Sequence, residues 1–332
     1  FIIDDTDVAN SQAHVFVVRS ALSPVRPKGI ASLKAGQSKI NVALPGRCVV
    51  CVTDSGAKRY IRRGLNQNNG SSQTDVFLVD KNGNVDANTA ILWDFDRVSQ
   101  IVAYPVDEKS LKITGGRFTT KANTAESKYT YYARGIGIRR SNVVIDGLEH
   151  RVIGEGDHGA PYGGFINISD CAEVTVRNTT LSGRKTSYTI GSAGKPVSMG
   201  TYDITVTRAL NVSFVNCRQF NDIQDRTRWG IMGSNFSKNL VYDRCELSRF
   251  DAHQGVANAT IRDSILGHAG INAIGSGTFV VENTTVYGRN FINLRPDYGS
   301  TWRGEFVIRN CRFVPASGRP LTPPTDWSYR RP

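Results

Sequence analysis

Val212-Ser-Phe-Val-Asn-Cys-Arg218 decides the fold. Read outward from it, the same phrase returns along the chain: apolar, any, apolar, any, then Asn, Asp or Gly, then a small residue. The copies include Leu111-Lys-Ile-Thr-Gly-Gly-Arg-Phe118, Val174-Thr-Val-Arg-Asn-Thr-Thr-Leu181 and Leu240-Val-Tyr-Asp-Arg-Cys-Glu-Leu247. They continue with Thr260-Ile-Arg-Asp-Ser-Ile-Leu266, Phe279-Val-Val-Glu-Asn-Thr-Thr-Val286 and Phe306-Val-Ile-Arg-Asn-Cys-Arg-Phe313, and Val143-Val-Ile-Asp-Gly-Leu148 is a looser copy. Alternation of period two is the mark of a strand. The Asn, Asp or Gly that ends it tolerates the left-handed backbone of a tight turn. No amphipathic helix follows any copy. Recurrence at about 20 to 40 residues is solenoid spacing. Repeated strands without helices predict an all-β chain, a right-handed single-stranded parallel β-helix.

The small residue after each turn is Gly116, Gly147, Thr179, Cys217, Cys245, Ser264, Thr284 or Cys311. These are expected to stack as a ladder inside a narrow solenoid. The helix is expected over residues 96–314, preceded by a β-rich cap over 1–95 and followed by an irregular proline-rich tail over 315–332. In the cap, His14–Val18 and Ile40–Leu44 read as short strands. Asp75–Val79, Lys81-Asn-Gly-Asn84 and Ala90–Trp93 read as a hairpin with an Asn-Gly turn.

The chain has 332 residues, 39% hydrophobic and 21% charged, an ordinary folded composition. No apolar run is long enough to span a membrane, so no membrane insertion is expected. A start at Phe1-Ile-Ile-Asp-Asp5 without a basic leader reads as part of a longer chain. The formal net charge of +12 favours an anionic partner or reflects one half of a larger balanced protein. Scattered basic residues and the lack of a recognition motif argue against nucleic acid. Six cysteines are present. Alternation puts Cys48 and Cys51 on opposite faces of one strand, which argues against a shared metal. Free buried thiols are expected, with no metal and no cofactor.

Between the repeats lie Gly-rich segments holding Asp, His, Arg, Trp and Tyr. Stacked coils would bring them to one face. Asp251 and His253, at i and i+2 on a strand, point the same way and form a candidate acid–base pair. Asp222 and Asp225 come one coil earlier, with Arg228 and Trp229. His268, Arg295 and Tyr298 follow, and Asp203, Asp157 and His158 complete the candidate contacts with sugar. Two carboxylates from neighbouring coils suit glycoside hydrolysis, and arginines suit a carboxylate or phosphate. Asp222 and Asp297 serve equally well as turn caps. His268 may equally satisfy a turn, and Arg295 with Asp297 may equally be an ion pair.

The repeat phrases resemble the right-handed β-helix polysaccharide enzymes, the pectate-lyase-like superfamily with its polygalacturonases and phage tailspikes, over residues 100–314. Asp75 through Asp96 and Ser248-Arg-Phe-Asp-Ala-His-Gln-Gly255 look similar to tailspike or neck-appendage proteins of Gram-positive phages. Tyr202-Asp203, Asp222 with Asp225, Gly267-His-Ala-Gly270 and Arg295 follow the order of the polygalacturonase motifs. Here Asp-Asp is split, Gly-His-Gly is broken by Ala269, and Arg-Ile-Lys is absent. The resemblance implies a secreted or virion-surface depolymerase, a homotrimer, that cleaves an anionic cell-surface polysaccharide such as capsule or a teichoic-acid-like polymer. Hydrolysis is the favoured chemistry. A lyase acting on a uronate polymer by β-elimination, or a receptor-binding spike without chemistry, are the alternatives.

Overall fold

The computed structural model describes residues 1–8, 13–123, 134–156, 163–299 and 302–316. The main body is a parallel β-helix of three sheets, and each coil visits them in turn. The first sheet is built from Leu111–Thr114, Val143–Asp146, Ala172–Arg177, Leu210–Val215, Lys238–Asp243 and Trp302–Arg309. The second holds Ile2–Asp4, Arg117–Lys121, Glu149–Ile153, Thr180–Leu181, Arg218–Gln219, Thr285–Gly288 and Arg312–Pro315. The third holds Phe16–Arg19, Ile136–Arg139, Ile166–Ser169, Ile204–Thr207, Met232–Asn235 and Ile292–Asn293. Two long strands, Glu246–Arg262 and Ile265–Glu282, each run through all three sheets without a break. Parallel crossovers of this kind take the right-handed sense.

The repeat phrase is the corner from first to second sheet. The residue before each ladder position has positive φ: Gly115, Gly147, Asn178, Asn216, Arg244, Asp263, Asn283 and Asn310. Asparagine dominates because its side chain tolerates this conformation and bonds to the coil below. Asn216 donates to Asn178 at 2.8 Å, and Asn310 donates to Asn283 at 2.9 Å. The interior ladder runs Thr179, Cys217, Cys245, Ser264, Thr284 and Cys311, in register. In the coil of Val143 the ladder place belongs to Leu148 rather than Gly147, because Glu149 pairs with Thr180 and Gly147 is itself the left-handed residue. All six cysteines are free.

Apolar columns fill the interior: Val143, Val174, Val212 and Leu240 stack, as do Ile145, Val176, Phe214 and Tyr242. Each fully buried side chain of this size contributes about 1.5–3 kcal/mol. An aromatic chain continues the core, Phe214 to Tyr242 at 5.4 Å, Tyr242 to Phe250 at 4.8 Å and Phe250 to Phe279 at 5.4 Å.

The expected strand at 14–18 forms at Phe16–Arg19, and it pairs in parallel with Ile136–Arg139 in the helix. Cys48–Arg59, Ser71–Val79 and Gln100–Pro105 make a separate antiparallel sheet with Cys48–Arg59 in the middle. Cys48 joins that unit's own core while Val49 faces the helix, so the two cysteines point opposite ways as the alternation implied. The hairpin across Asn82-Gly83 does not form. After the turn only Val79 and Val85 bridge, because Ser71–Val79 has already spent its edge on Cys48–Arg59 and Ala87–Thr89 winds into a 3-10 turn. Ile40–Leu44 is likewise no strand. It is held by Ile40 donating to Gly83 O, with Ile40 and Leu44 buried. The unit docks on the first sheet through Val49, Val76 and Leu78 against Ala172 and Leu210. A buried ion pair, Lys238 to Asp75 at 2.8 Å, fixes the contact.

Candidate functional site

The connections from second to third sheet leave the body on one edge. They hold residues 182–203 and 220–231, and they shrink to nothing in the two long strands. Beside this edge lies the outward side of the third sheet. Asn167, Thr205, Gly233, Asp251, Asn272 and Asn293 are in register there.

Asp251 and His253 do share that side, and Arg249 joins them by the same alternation. The Asp251 side chain is nonetheless fully buried. Its Oδ2 accepts from the Tyr202 hydroxyl and, at 2.8 Å, from Arg249 Nη2. Its Oδ1 meets no donor among the described residues. Arg249 lies over the rings of Trp229 at 4.7 Å and Tyr202 at 5.8 Å. With the Asn272 amide oxygen turned toward it, Arg249 also donates to that oxygen through Nε and Nη2 at 2.7 Å. Glycines make this packing feasible. A Cβ at Gly200 would sit 2.0 Å from the Trp229 ring, and one at Gly233 would sit 2.5 Å from the Tyr202 ring.

His253 does not bond to Asp251. Its Nδ1 pairs with Asn235 Oδ1 at 2.9 Å and its ring meets Tyr298 edge-on at 6.0 Å. Burial pushes the imidazole below its ordinary value of 6.5, Asp251 opposes this, and Arg295, Arg249 and Arg62 reinforce it. Asp297 Oδ2 accepts from Arg295 Nη2 at 2.8 Å and from Arg62 Nε at 2.8 Å. Burial works against its charge, yet the two guanidiniums hold the carboxyl below its ordinary value. Tyr298 packs against both arginines, at 4.8 Å from Arg295 and 5.5 Å from Arg62. Burial and Asp251 together push the Tyr202 phenol well up, despite Arg249, so it keeps its proton.

Asp222, Asp225, Arg228 and His268 form a neighbouring group, joined to the first through Trp229. Asp222 is exposed and caps its own turn, accepting from Gln224 N at 2.9 Å. Asp225 accepts from Thr227 N at 2.9 Å and from Arg228 Nε at 3.1 Å. Arg228 also reaches Gly183 O at 2.8 Å and Glu155 at 3.7 Å, and His268 Nε2 bonds to Arg228 O at 3.0 Å. Asp203 lies inside the helix, fully buried, with His150 Nδ1 at 2.8 Å and Arg184 Nη2 at 3.3 Å. There it neutralises an interior network out of a sugar's reach. Asp157 and His158 lie outside the described residues. No cluster of three metal-ligating side chains occurs among the described residues, and no helix among them is long and apolar enough to cross a membrane.

Sequence reading missed Arg249, Tyr202 as the partner of Asp251, and Arg62. Arg249 was legible as i−2 to Asp251. Tyr202 and Arg62 were not, because tertiary contacts alone bring them to the site.

No family model matches the chain. A depolymerase of Klebsiella phage P510, described as specific for capsule KL64, is 30% identical over 138 residues, covering 33% of this chain and 14% of that protein. The chain thus spans about one seventh of the curated relative it matches. Among solved structures, the tailspike of Pseudomonas phage phi297 aligns over 95% of this chain and 60% of its own, at 12% identity and a TM-score of 0.44. A tailspike of Acinetobacter baumannii bacteriophage AP22, solved with capsular saccharide, aligns over 94% of this chain and 60% of its own, at 10% identity and a TM-score of 0.36. Phage tailspikes and a phage capsule depolymerase are therefore what this chain is similar to, as its repeats suggested, and the hosts these relatives name are Klebsiella, Pseudomonas and Acinetobacter.

Proposed function

We propose that the chain is the polymer-cleaving body of a virion-surface depolymerase that acts on an anionic bacterial capsule or related wall polysaccharide by hydrolysis. The observation that carries this reading is the cluster on the outer third sheet, where buried Asp251 holds the Tyr202 hydroxyl and Arg249, with His253 two residues on. Asp251 itself does not reach a sugar, so it acts through Tyr202. In cleavage the phenol gives its proton to the glycosidic oxygen and takes one from the Asp251 carboxyl. His253, neutral because burial lowers its pKa, accepts a proton from the attacking water. Tyr298 and Trp229 offer ring faces to the sugar.

A second reading, β-elimination of a uronate polymer, draws on the arginines around His253. Arg62, Arg249 and Arg295 all act on its charge state, and such cations would stabilise the enolate left when His253 removes a proton. The deciding experiment is incubation with a panel of purified capsular and wall polysaccharides. Shortened products without new ultraviolet absorbance support hydrolysis, and absorbance from a new double bond moves the assignment to the lyase. Asp251→Asn is expected to abolish cleavage and leave folding intact. Full activity in that variant sinks the Asp251–Tyr202 assignment, and unchanged polymer length across the panel leaves a binding spike.

A further inference from the structure

Arg62 belongs to the antiparallel unit, yet it sits in the site. The segment that carries it is built rather than loose. Arg62 and Asn68 bridge across a tight loop, with Asn68 N donating to Arg62 O at 3.1 Å. Gly70, at φ +77°, turns the chain where a Cβ would come within 2.4 Å of Arg59 O. Arg63 N then donates to Asp297 O at 2.8 Å, and Ser71 Oγ donates to Gln254 at 3.1 Å. The loop is thus pinned to the face that carries His253.

The charges there do not cancel. Arg62 and Arg295 share the single carboxylate of Asp297. Arg295 takes both of its oxygens, Nε to Oδ1 at 2.9 Å and Nη2 to Oδ2 at 2.8 Å. Arg62 uses only Nε on Oδ2, so its outer guanidinium nitrogens are not spent on that carboxylate. The Arg62 side chain is 26% exposed and the Arg295 side chain 12%. An excess positive charge therefore faces the groove on a guanidinium that has donors to spare, held near the Tyr298 ring.

We propose that Arg62 is a specificity-determining residue that takes an oxyanion substituent of the polymer repeat, a carboxylate or a phosphate, so that the antiparallel unit forms one wall of the binding site. This deepens the depolymerase reading and rests on it for the polymer. Binding can be measured without cleavage, which separates the two. Asp297 keeps its two bonds from Arg295 in Arg62→Ala, so the carboxylate is not orphaned.

The test uses the full chain, Arg62→Ala and Arg62→Lys, with the same polysaccharide panel in native, carboxyl-reduced and phosphate-stripped forms. Affinity electrophoresis reads binding and product release reads KM and kcat. Losing a charged hydrogen bond predicts binding about tenfold weaker for Arg62→Ala on the native anionic polymer, as higher KM with kcat little changed. The stripped polymer that binds the parent as weakly as native polymer binds Arg62→Ala identifies the substituent, and on it parent and variant agree. Arg62→Lys is expected to fall between, because an ammonium lacks the planar fork. Equal loss on native and stripped polymers would assign Arg62 a merely structural role and overturn the proposal. So would parent-like binding by Arg62→Ala, or a parent that prefers neutral polymers or binds none.

Discussion

Gly233 is where the site can be broken without touching a chemical group. Its ideal Cβ would lie 2.5 Å from Cδ2 and Cε2 of Tyr202 and 3.0 Å from Cγ. Carbon atoms settle at about 3.5–4.0 Å, so Gly233→Ala must lift the ring by about 1 Å. The hydroxyl at the far end of that ring is what reaches Asp251. A displacement of this size breaks the bond, and a bond to a charged group is worth about 1.5–3 kcal/mol. In rate terms that is a loss of about ten- to a hundredfold in kcat. For 332 residues an unfolding entropy of about 0.7 kcal/mol/K follows from the per-residue average, so the same loss lowers Tm by about 2–4 °C. Tyr202→Phe removes the hydroxyl and keeps the ring. The two variants should therefore lose comparable activity, and the double variant should be no worse than either, because each removes the same interaction. Product release on a cleaved polymer, with calorimetry alongside, measures both quantities. Full activity in Gly233→Ala, or additive losses in the double variant, would refute the idea that the Tyr202–Asp251 contact is functional.

Protonation of His253 should mark the acid side of the pH profile. Its folded pKa lies below 6.5, so the stability it contributes is complete above that value and is lost as pH falls through the folded pKa. The acid limb of kcat/KM is expected below pH 6.5, and a limb unchanged in His253→Gln would assign it elsewhere. Lys238→Ala strands the buried Asp75 carboxylate; removing one partner of a buried pair costs about 3–5 kcal/mol, seen as a Tm lowered by roughly 4–7 °C, and an unchanged Tm would show that the pair does not hold the antiparallel unit in place. Thiol titration in denaturant without reductant should find all six cysteines, and a count of four or fewer would mean a disulfide.

The body of the fold was legible because its information is local and repeated. Val174, Val212 and Leu240 each sit two residues before a second apolar residue and four before a left-handed turn, and parallel stacking then puts like over like. Asp251 and His253 were legible for the same reason, since alternation sets their side of the sheet. That Asp251 is sealed was not legible, because the seal comes from Tyr202, 49 residues away. Asp203 misled because a charged residue in a motif-like phrase reads as a surface group, whereas His150 and Arg184 neutralise it inside. The hairpin at 75–93 failed because an Asn-Gly turn specifies a reversal but not the partner, and Cys48–Arg59 took the edge.

The spacing of the rungs separates what this architecture must keep from what it is free to vary. Cys245 and Ser264 meet across one coil of 19 residues, while Asn178 and Asn216 meet across one of 38. Both coils close with the same corner and the same register, so the added residues leave the stack undisturbed. A lineage carrying such a body could lengthen, shorten or exchange one excursion at a time and change the surface shown to a new host without renegotiating the interior. The short coils set the minimum, and everything beyond about 19 residues per turn is room for experiment.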